Sequence, residues 1–382
     1  MLEATRPGSC LDAAGQAISV IHLANRSLSL ELRDKSNLAY AQGVSAVNVA
    51  LTDPDLRYKD ETLVAIWLLG QRERFAQIGH FEPQDNSAVE AHINGVLLLL
   101  HLRGEEQFTT SQGRHLYKLF LSNLQWHPLL ACEEPSEQYR LLEAQIGKAT
   151  LNIPDASARV SSFFRGVTKL RARIRNWLVS TSGRQSDDTL IVSYLKAGER
   201  LERKVVDWCD EPGWRPLPVA EKETRDDDTW LSRQPFCSIY FVDTEGFSQW
   251  NRYYAAKICL YAAIIDALVH HEKRDSCQKR CDLYNIQDMI HQHTLALHGI
   301  IWNYLGMMSY GFGDIDESGR SRWRSCNIAG GRNHPDASII KEAAMMEAHP
   351  LLSYLSSLGR LAIRQKEAID MVLNRLHQSI QY

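Results

Sequence analysis

Helical periodicity is the feature that most restricts what this chain can fold into. Leu63, Ile66, Trp67 and Gly70 occupy the i, i+3, i+4 and i+7 positions of one helical face. They follow Asp60, a residue type that is favoured at helix N-caps. Further segments show the helical pattern: 88–103, 113–124, 136–147, 158–180, 188–209, 247–272, 282–308 and the C-terminal stripe of Ile369, Leu373, Leu376 and Ile380. The sequence therefore predicts an all-α protein.

Two long segments without this pattern interrupt the helices. Segment 210–236 is rich in proline and acids, and segment 309–337 combines glycines with three closely spaced arginines. Loops of this length are unusual inside compact domains and often act as lids or binding loops. Strand-like alternation is short and isolated, as at 237–242. We therefore expect one large all-α domain over 1–382, with long loops at 210–236 and 309–337 and the second loop closing over a ligand.

Composition excludes several classes of function. A net charge of −3 argues against a broad nucleic-acid surface, since such surfaces leave a basic imprint. No uninterrupted apolar run approaches the roughly 20 residues of a spanning helix, and the N-terminus has no apolar signal segment. The eight cysteines are scattered, as expected for reduced thiols. These features predict a cytoplasmic protein that contacts neither membrane nor, by itself, nucleic acid, with a homodimer left open.

Two blocks of the chain carry a family resemblance. The first includes Asp53, Pro54, Asp60, Leu63, Leu69, Phe75, His92, Gly95, the leucines at 97–100, Leu102, Arg103, Gly104, Phe108, Gly113, Arg114, Leu116 and Tyr117. The second includes Trp250, Asn251, Arg252, Tyr253, Lys257, Ile258, Cys259 and Leu260, with weaker matches at 288–290 and 297–299. In this order, the blocks resemble the regulatory domain of fungal zinc-cluster transcription factors. The resemblance implies an all-α fold.

The chain departs from that family at its N-terminus. Zinc-cluster factors carry six closely spaced cysteines beside a basic DNA-reading segment, whereas Cys10 and Cys132 are the first two cysteines here. A group of fungal sesquiterpene cyclases also looks like this regulatory domain without the zinc cluster. These are the humulene-synthase-type enzymes of tropolone meroterpenoid pathways. The resemblance to them makes an enzyme our leading hypothesis from sequence.

The enzyme hypothesis implies Mg²⁺-dependent ionisation of farnesyl diphosphate and cyclisation to a humulene-type hydrocarbon. We assign catalytic roles to two cations and two aromatic residues on the matched helices: Arg252, Lys257, Tyr253 and Trp302. Preorganised cations would stabilise the departing pyrophosphate. Aromatic faces would stabilise carbocations in a dry pocket.

The same hypothesis assigns residues to substrate and metal. The substrate-binding residues are polar side chains of the matched helix and the glycine-rich loop: Asn251, Arg320, Arg322 and Arg324. Arginine suits this task because its planar fork matches phosphate oxygens. We expect Asp266, and second Asp288, to bind Mg²⁺, because a carboxylate in a largely apolar helix needs a metal, a partner or a face turned to water. For each arginine, a solvated charged loop is the alternative interpretation.

Other polar clusters fit known sites less well. The acids at 187–188 and 226–228 do not complete the DDxxD motif of ordinary class I terpene cyclases. Cys277 and Cys281, followed by His291 and His293, match no structural zinc site closely, and free thiols are the better interpretation.

The alternative function belongs to a different class. On this second hypothesis, the chain is a regulatory or ligand-sensing domain of a zinc-cluster factor that lacks its DNA-binding module. It would act through partners and in the nucleus. A large helical fold serves either hypothesis, because fold alone does not determine function.

Overall fold

The computed structural model describes residues 7–77, 87–149, 156–180, 188–205, 217–218, 239–240, 244–275, 280–311 and 348–381. The α-helices within these residues are α1 (Cys10–Ser27), α2 (Leu30–Thr52), α3 (Asp60–Gln77), α4 (Ser87–Arg103), α5 (Ser111–Leu124), α6 (Trp126–Ala131), α7 (Glu137–Ala149), α8 (Ala156–Ser180), α9 (Asp188–Arg203), α10 (Thr244–Asp275), α11 (Arg280–Gly311), α12 (348–357) and α13 (Ile363–Gln381). A 3₁₀ turn, Gly104–Phe108, follows α4. The predicted all-α class is confirmed.

The only strand pairing in the described residues is two residues long. β1 (Leu217–Pro218) lies antiparallel to β2 (Ile239–Tyr240), with Leu217 opposite Tyr240. β2 falls within the segment 237–242, where the sequence alternates. So short a pairing does not change the fold class.

Most predicted helices coincide with observed ones. The predicted segments from 88 to 180, and those over 247–308, match α4, α5, α7, α8, α10 and α11 to within about three residues at each end. The segment 188–209 ends earlier, at Arg203. Asp60, predicted as an N-cap, is the first residue of α3, and its carboxylate accepts a hydrogen bond from Arg103.

The chain divides into two compact units. The first comprises Met1–Leu124, Pro135–Ile153 and Arg375–Tyr382, and the second comprises Gln125–Glu134 and Pro154–Asn374. Two compact units can form one domain or two, so the predicted single domain over 1–382 stays a prediction.

The first unit is built around α3. In this unit α1 packs against α2 and α3, and α3 packs against α4. Leu63, Leu69, Tyr117 and Phe120 are almost fully buried in its core. Gly43 of α2 allows a close approach, because a Cβ there would lie 2.9 Å from Leu69 Cδ2. Large apolar side chains and small contact residues thus pack α3 at the centre of this unit.

The second unit is built around α10. This helix packs against α8, α11, α9 and α6. The stretch Ser248–Lys273 is long and apolar enough to cross a membrane by length and composition, but 67% of its most apolar window is buried inside the fold. That is the pattern of a core helix. The polar residues that the sequence places on α10 therefore lie in or beside a packed core.

Candidate functional site

Arg252 is buried at the centre of the second unit. It is 1% exposed. Its Nη1 donates to Gln249 Oε1 at 3.3 Å, and its Nη2 donates to Gln125 Oε1. The guanidinium lies over the Phe164 ring, with Cζ 5.4 Å from the ring centroid. Amide oxygens and an aromatic face offset part of the cost of removing this charge from water.

Asn251 is part of the same buried region. It is 0% exposed, and its Oδ1 accepts a hydrogen bond from the Tyr304 hydroxyl at 3.0 Å. This bond joins α10 to α11 inside the second unit. A buried amide held in this way fixes the register of two packed helices.

Aromatic rings form a continuous cluster along the start of α10. Tyr253 packs against Trp250 and Tyr254 with centroid distances of 5.6 Å for both. It also packs against Phe163 of α8 at 5.7 Å. Tyr254 extends the cluster to Tyr304 at 6.1 Å. Such contacts stabilise a core beyond the area they bury. Trp302 is half-buried on α11.

Lys257 lies at the half-exposed edge of this cluster. Its Nζ is 3.4 Å from Glu202 Oε1 and 3.3 Å from the Tyr253 hydroxyl. The Tyr261 hydroxyl donates to Glu202, with both carboxylate oxygens at 3.2 Å. Burial, followed by the charge of Glu202, raises the pKa of Tyr261. Lys257 is therefore neutralised by a carboxylate from α9.

Asp266 faces outward from α10. Its side chain is 52% exposed, and its Oδ1 is 2.9 Å from Arg360 Nη1. Burial raises the pKa of this carboxyl, and the positive charge of Arg360 acts in the opposite direction. Asp288, the second predicted metal ligand, is exposed on α11. A carboxylate in an apolar helix was expected to need a metal, a partner or a face turned to water. The structure gives Asp266 a partner, Arg360, and an exposed face.

The predicted Mg²⁺ site remains a prediction. Within the described ranges, no three His, Cys, Asp or Glu residues come together as a potential metal site. Mg²⁺ is commonly held by one or two carboxylates together with substrate phosphates, so Asp266 or Asp288 alone would supply few of its ligands. The remaining predicted substrate ligands lie outside the described residues: Arg320, Arg322 and Arg324.

One polar network of the second unit was not predicted. Arg171 of α8 donates to the Leu129 carbonyl, to the Tyr354 hydroxyl at 2.7 Å and to Cys259 Sγ at 3.1 Å. Burial raises the pKa of Cys259 to about 11, although Arg171 lowers it. A thiol with this pKa is unreactive near neutral pH. The sequence signal for this network was an arginine at an apolar position of the 158–180 pattern.

Comparison with known proteins adds no assignment. No family model, curated protein or solved structure matches this chain. The resemblance to fungal regulatory domains and cyclases stays an expectation from the sequence.

Proposed function

We propose that the chain is a non-catalytic regulatory module that acts through a partner protein. One observation carries this proposal: Asn251, Arg252 and Lys257, the polar residues of the best-matched helix, are each engaged by side chains of the same unit. A cation that stabilises a leaving diphosphate must be directed at the developing charge. Arg252 and Asn251 are instead directed at neighbouring helices.

The free-energy cost of redirecting Arg252 to a ligand also supports the regulatory proposal. Redirecting Arg252 to a ligand would break its bonds to Gln125 and Gln249, both of which are at least 94% buried. Leaving a buried acceptor without its donor costs about 1–3 kcal/mol for each group. A ligand would have to offset this cost before any binding energy appeared. These side chains are better suited to hold a helical scaffold together.

A tethering experiment tests the regulatory proposal. The full chain is fused to an unrelated DNA-binding domain, and transcription of a reporter bearing that domain's binding site is measured in a fungal host. We expect a severalfold change relative to the DNA-binding domain alone. Arg203→Ala, on an exposed side chain, is the matched control and should behave like wild type. An unchanged reporter with wild-type fusion at equal abundance would contradict the proposal.

The cyclase is the second candidate, and it rests on the partial exposure of Lys257, although Glu202 pairs with this cation. This cation is half-exposed and lies beside Tyr253, with Nζ 5.6 Å from the ring centroid. In ionisation, the allylic carbon–oxygen bond breaks, the electron pair leaves with pyrophosphate, and a later proton loss gives the hydrocarbon. Lys257 would bind the pyrophosphate oxygens, and Mg²⁺, when bound, would neutralise further charge. The ring of Tyr253 would face the carbocation.

Product analysis separates the two candidates. Purified wild-type chain is incubated with farnesyl diphosphate and Mg²⁺, and extracted hydrocarbons are measured by gas chromatography and mass spectrometry. The regulatory proposal expects no product above a heat-denatured control. Hydrocarbon formed by wild type and abolished in a folded Lys257→Ala variant would place the cyclase first.

A further inference from the structure

A small cavity lies between α3, α4 and the end of α5 in the first unit. Its volume is about 20 Å³, and its lining includes Trp67, Arg74, His92 and Asn123. This volume is enough for one water-sized group. The residues that line the cavity include no acid. The cavity is therefore a mostly apolar recess with a few polar side chains, and its lining has no anionic group among the described residues.

Gly70 lies on the wall of the recess, between Trp67 and Arg74 on α3. Trp67 and Arg74 are seven residues apart, and thus lie two turns apart on one face of α3. Gly70 lies on the same face, one turn from each, and also lines the cavity. A Cβ at Gly70 would lie 3.0 Å from His92 Cβ. Because glycine has no side chain, α4 can approach α3 closely at this point.

Two donors at this cavity have no acceptor within the described part of the chain. The Trp67 Nε1–H is buried and makes no hydrogen bond there. Arg74 is half-buried, and burial alone lowers its pKa, without an acid that would raise it. An unsatisfied buried donor such as the Trp67 N–H is rare and needs an explanation such as a water, an ion or a ligand. The nitrogens of Arg74 are not among the fully buried atoms without a partner.

Arg72, on the same helix, shows what a satisfied arginine looks like in this unit. It donates to Ser36 Oγ at 3.1 Å, to Glu73 Oε1 at 2.7 Å and to Asn37 Oδ1. Its guanidinium also lies over the Tyr40 ring at 4.8 Å. In the first unit, Arg72 therefore has an acceptor for each of its three nitrogens, whereas Arg74 lines the recess.

His92 does not supply the positive charge at the cavity. Its Nε2 is 2.8 Å from the Tyr40 hydroxyl, and burial lowers its pKa against the opposing charge of Glu73. The imidazole is therefore neutral near neutral pH. Arg74 supplies the positive charge of the cavity.

We propose that this cavity receives one carboxylate oxygen of a small organic acid, with Arg74 and the Trp67 indole N–H as the donors to that carboxylate. A guanidinium fork matches a flat carboxylate in a bidentate geometry, and bonds to a charged acceptor are among the stronger hydrogen bonds. A recess of this volume admits a carboxylate oxygen more readily than a tetrahedral phosphate. Apolar side chains at the same recess, Val89 and Ile93, would contact the rest of the acid. The proposal does not rest on the regulatory function.

Indole resonances in a ¹H–¹⁵N NMR spectrum test it. Sodium acetate replaces sodium chloride at constant ionic strength, and the Trp67 signal is identified as the one missing from Trp67→Phe. We expect this signal to shift saturably in wild type. In Arg74→Gln, acetate affinity should fall at least about tenfold, because a charge-assisted bond contributes more than 1.4 kcal/mol. Arg57→Gln, at an exposed arginine of the same unit, should match wild type.

Three outcomes would overturn the proposal. The first is a Trp67 shift that stays linear in acetate or is unchanged in Arg74→Gln. The second is saturation by inorganic phosphate and not by acetate. The third is saturation that appears only in Glu82→Gln/Asp85→Asn, which removes the first two acids after α3 in the sequence. If Arg74→Gln does not fold, Arg74→Lys replaces it, and loss of the fork should still weaken acetate binding.

Discussion

Arg252 of the second unit and Arg74 of the first unit both lie in helices that pack into a core, but they differ in their partners. Arg252 donates to two glutamine side chains and lies over Phe164. Arg74 lines a recess with no acid, next to an indole N–H without an acceptor in the described residues. The first arrangement directs both terminal guanidinium nitrogens at acceptors within the fold, although Arg252 Nε makes no hydrogen bond among the described residues. The second retains capacity for a ligand. The presence of protein acceptors, more than residue type, separates a structural arginine from a binding one.

The largest effect should come from removing Arg252, the buried arginine that donates to two glutamine side chains. We expect Arg252→Ala to lower the free energy of unfolding by about 3 kcal/mol or more, because it leaves a cavity and two buried acceptors without their donor. Urea denaturation followed by circular dichroism measures this change. Arg203→Ala, at a side chain that is 71% exposed, is the control and should change stability by less than about 0.5 kcal/mol. Similar values for the two variants would show that the buried contacts of Arg252 do not stabilise the fold.

A smaller change in stability, of opposite sign, is expected when Arg74 is replaced. Arg74→Met keeps the apolar stem and removes a charge that burial disfavours. Replacing an unpaired, partly buried charge with an apolar side chain is neutral or stabilising, here by up to about 1 kcal/mol. Thermal unfolding at low salt, without added carboxylate, is the measurement. A loss of stability comparable to that of Arg252→Ala would show that Arg74 has a partner in the fold.

The smallest effect should be seen at Asp266, and it should depend on pH. Because the folded-state pKa is raised above 3.8, the ionised carboxylate is disfavoured in the folded protein. This penalty is fully present above the folded pKa and disappears as the pH falls below 3.8. Asp266→Asn should therefore be slightly more stable than wild type at pH 7 and equal to it in acid. Urea titrations of both proteins across this range test the sign. A variant less stable than wild type at pH 7 would show that the attraction of Arg360 dominates.

Helix positions could be predicted from sequence wherever large apolar residues recur on one face. This is why α3 to α5 and α7 to α11 were located. Helices α1 and α2 were not predicted, because the buried residues of α2 are small: Ser36, Gly43, Val47 and Ala50. Small residues allow close helix packing but give a weak periodic signal. In α1 the buried residues do recur at helical spacing, and serines cap the N-termini of both helices, so part of the local signal was present in the sequence.

The candidate site was only partly predictable, for a related reason. The sequence singled out Asn251, Arg252 and Lys257 as polar residues in a helical motif, and all three do form notable polar contacts. Each has at least one partner outside α10, namely Tyr304, Gln125 and Glu202, up to 127 residues away in the case of Gln125. Sequence spacing along one helix cannot show whether such partners exist. The recess beside Arg74 was not predicted. Gly70, which lies between its two donors on α3, belongs to the apolar stripe and gives no sign of a binding site in the sequence.

A double-mutant cycle between Arg252 and Gln125 tests the central claim most directly, which is that the polar residues of α10 hold the fold together. Free energies of unfolding are measured for wild type, Arg252→Met, Gln125→Leu and the double variant. We predict a coupling energy of about 1.5 kcal/mol or more, as expected for a buried hydrogen bond from a charged donor. Additive effects within about 0.5 kcal/mol would contradict the account, because Arg252 would then be available for a ligand.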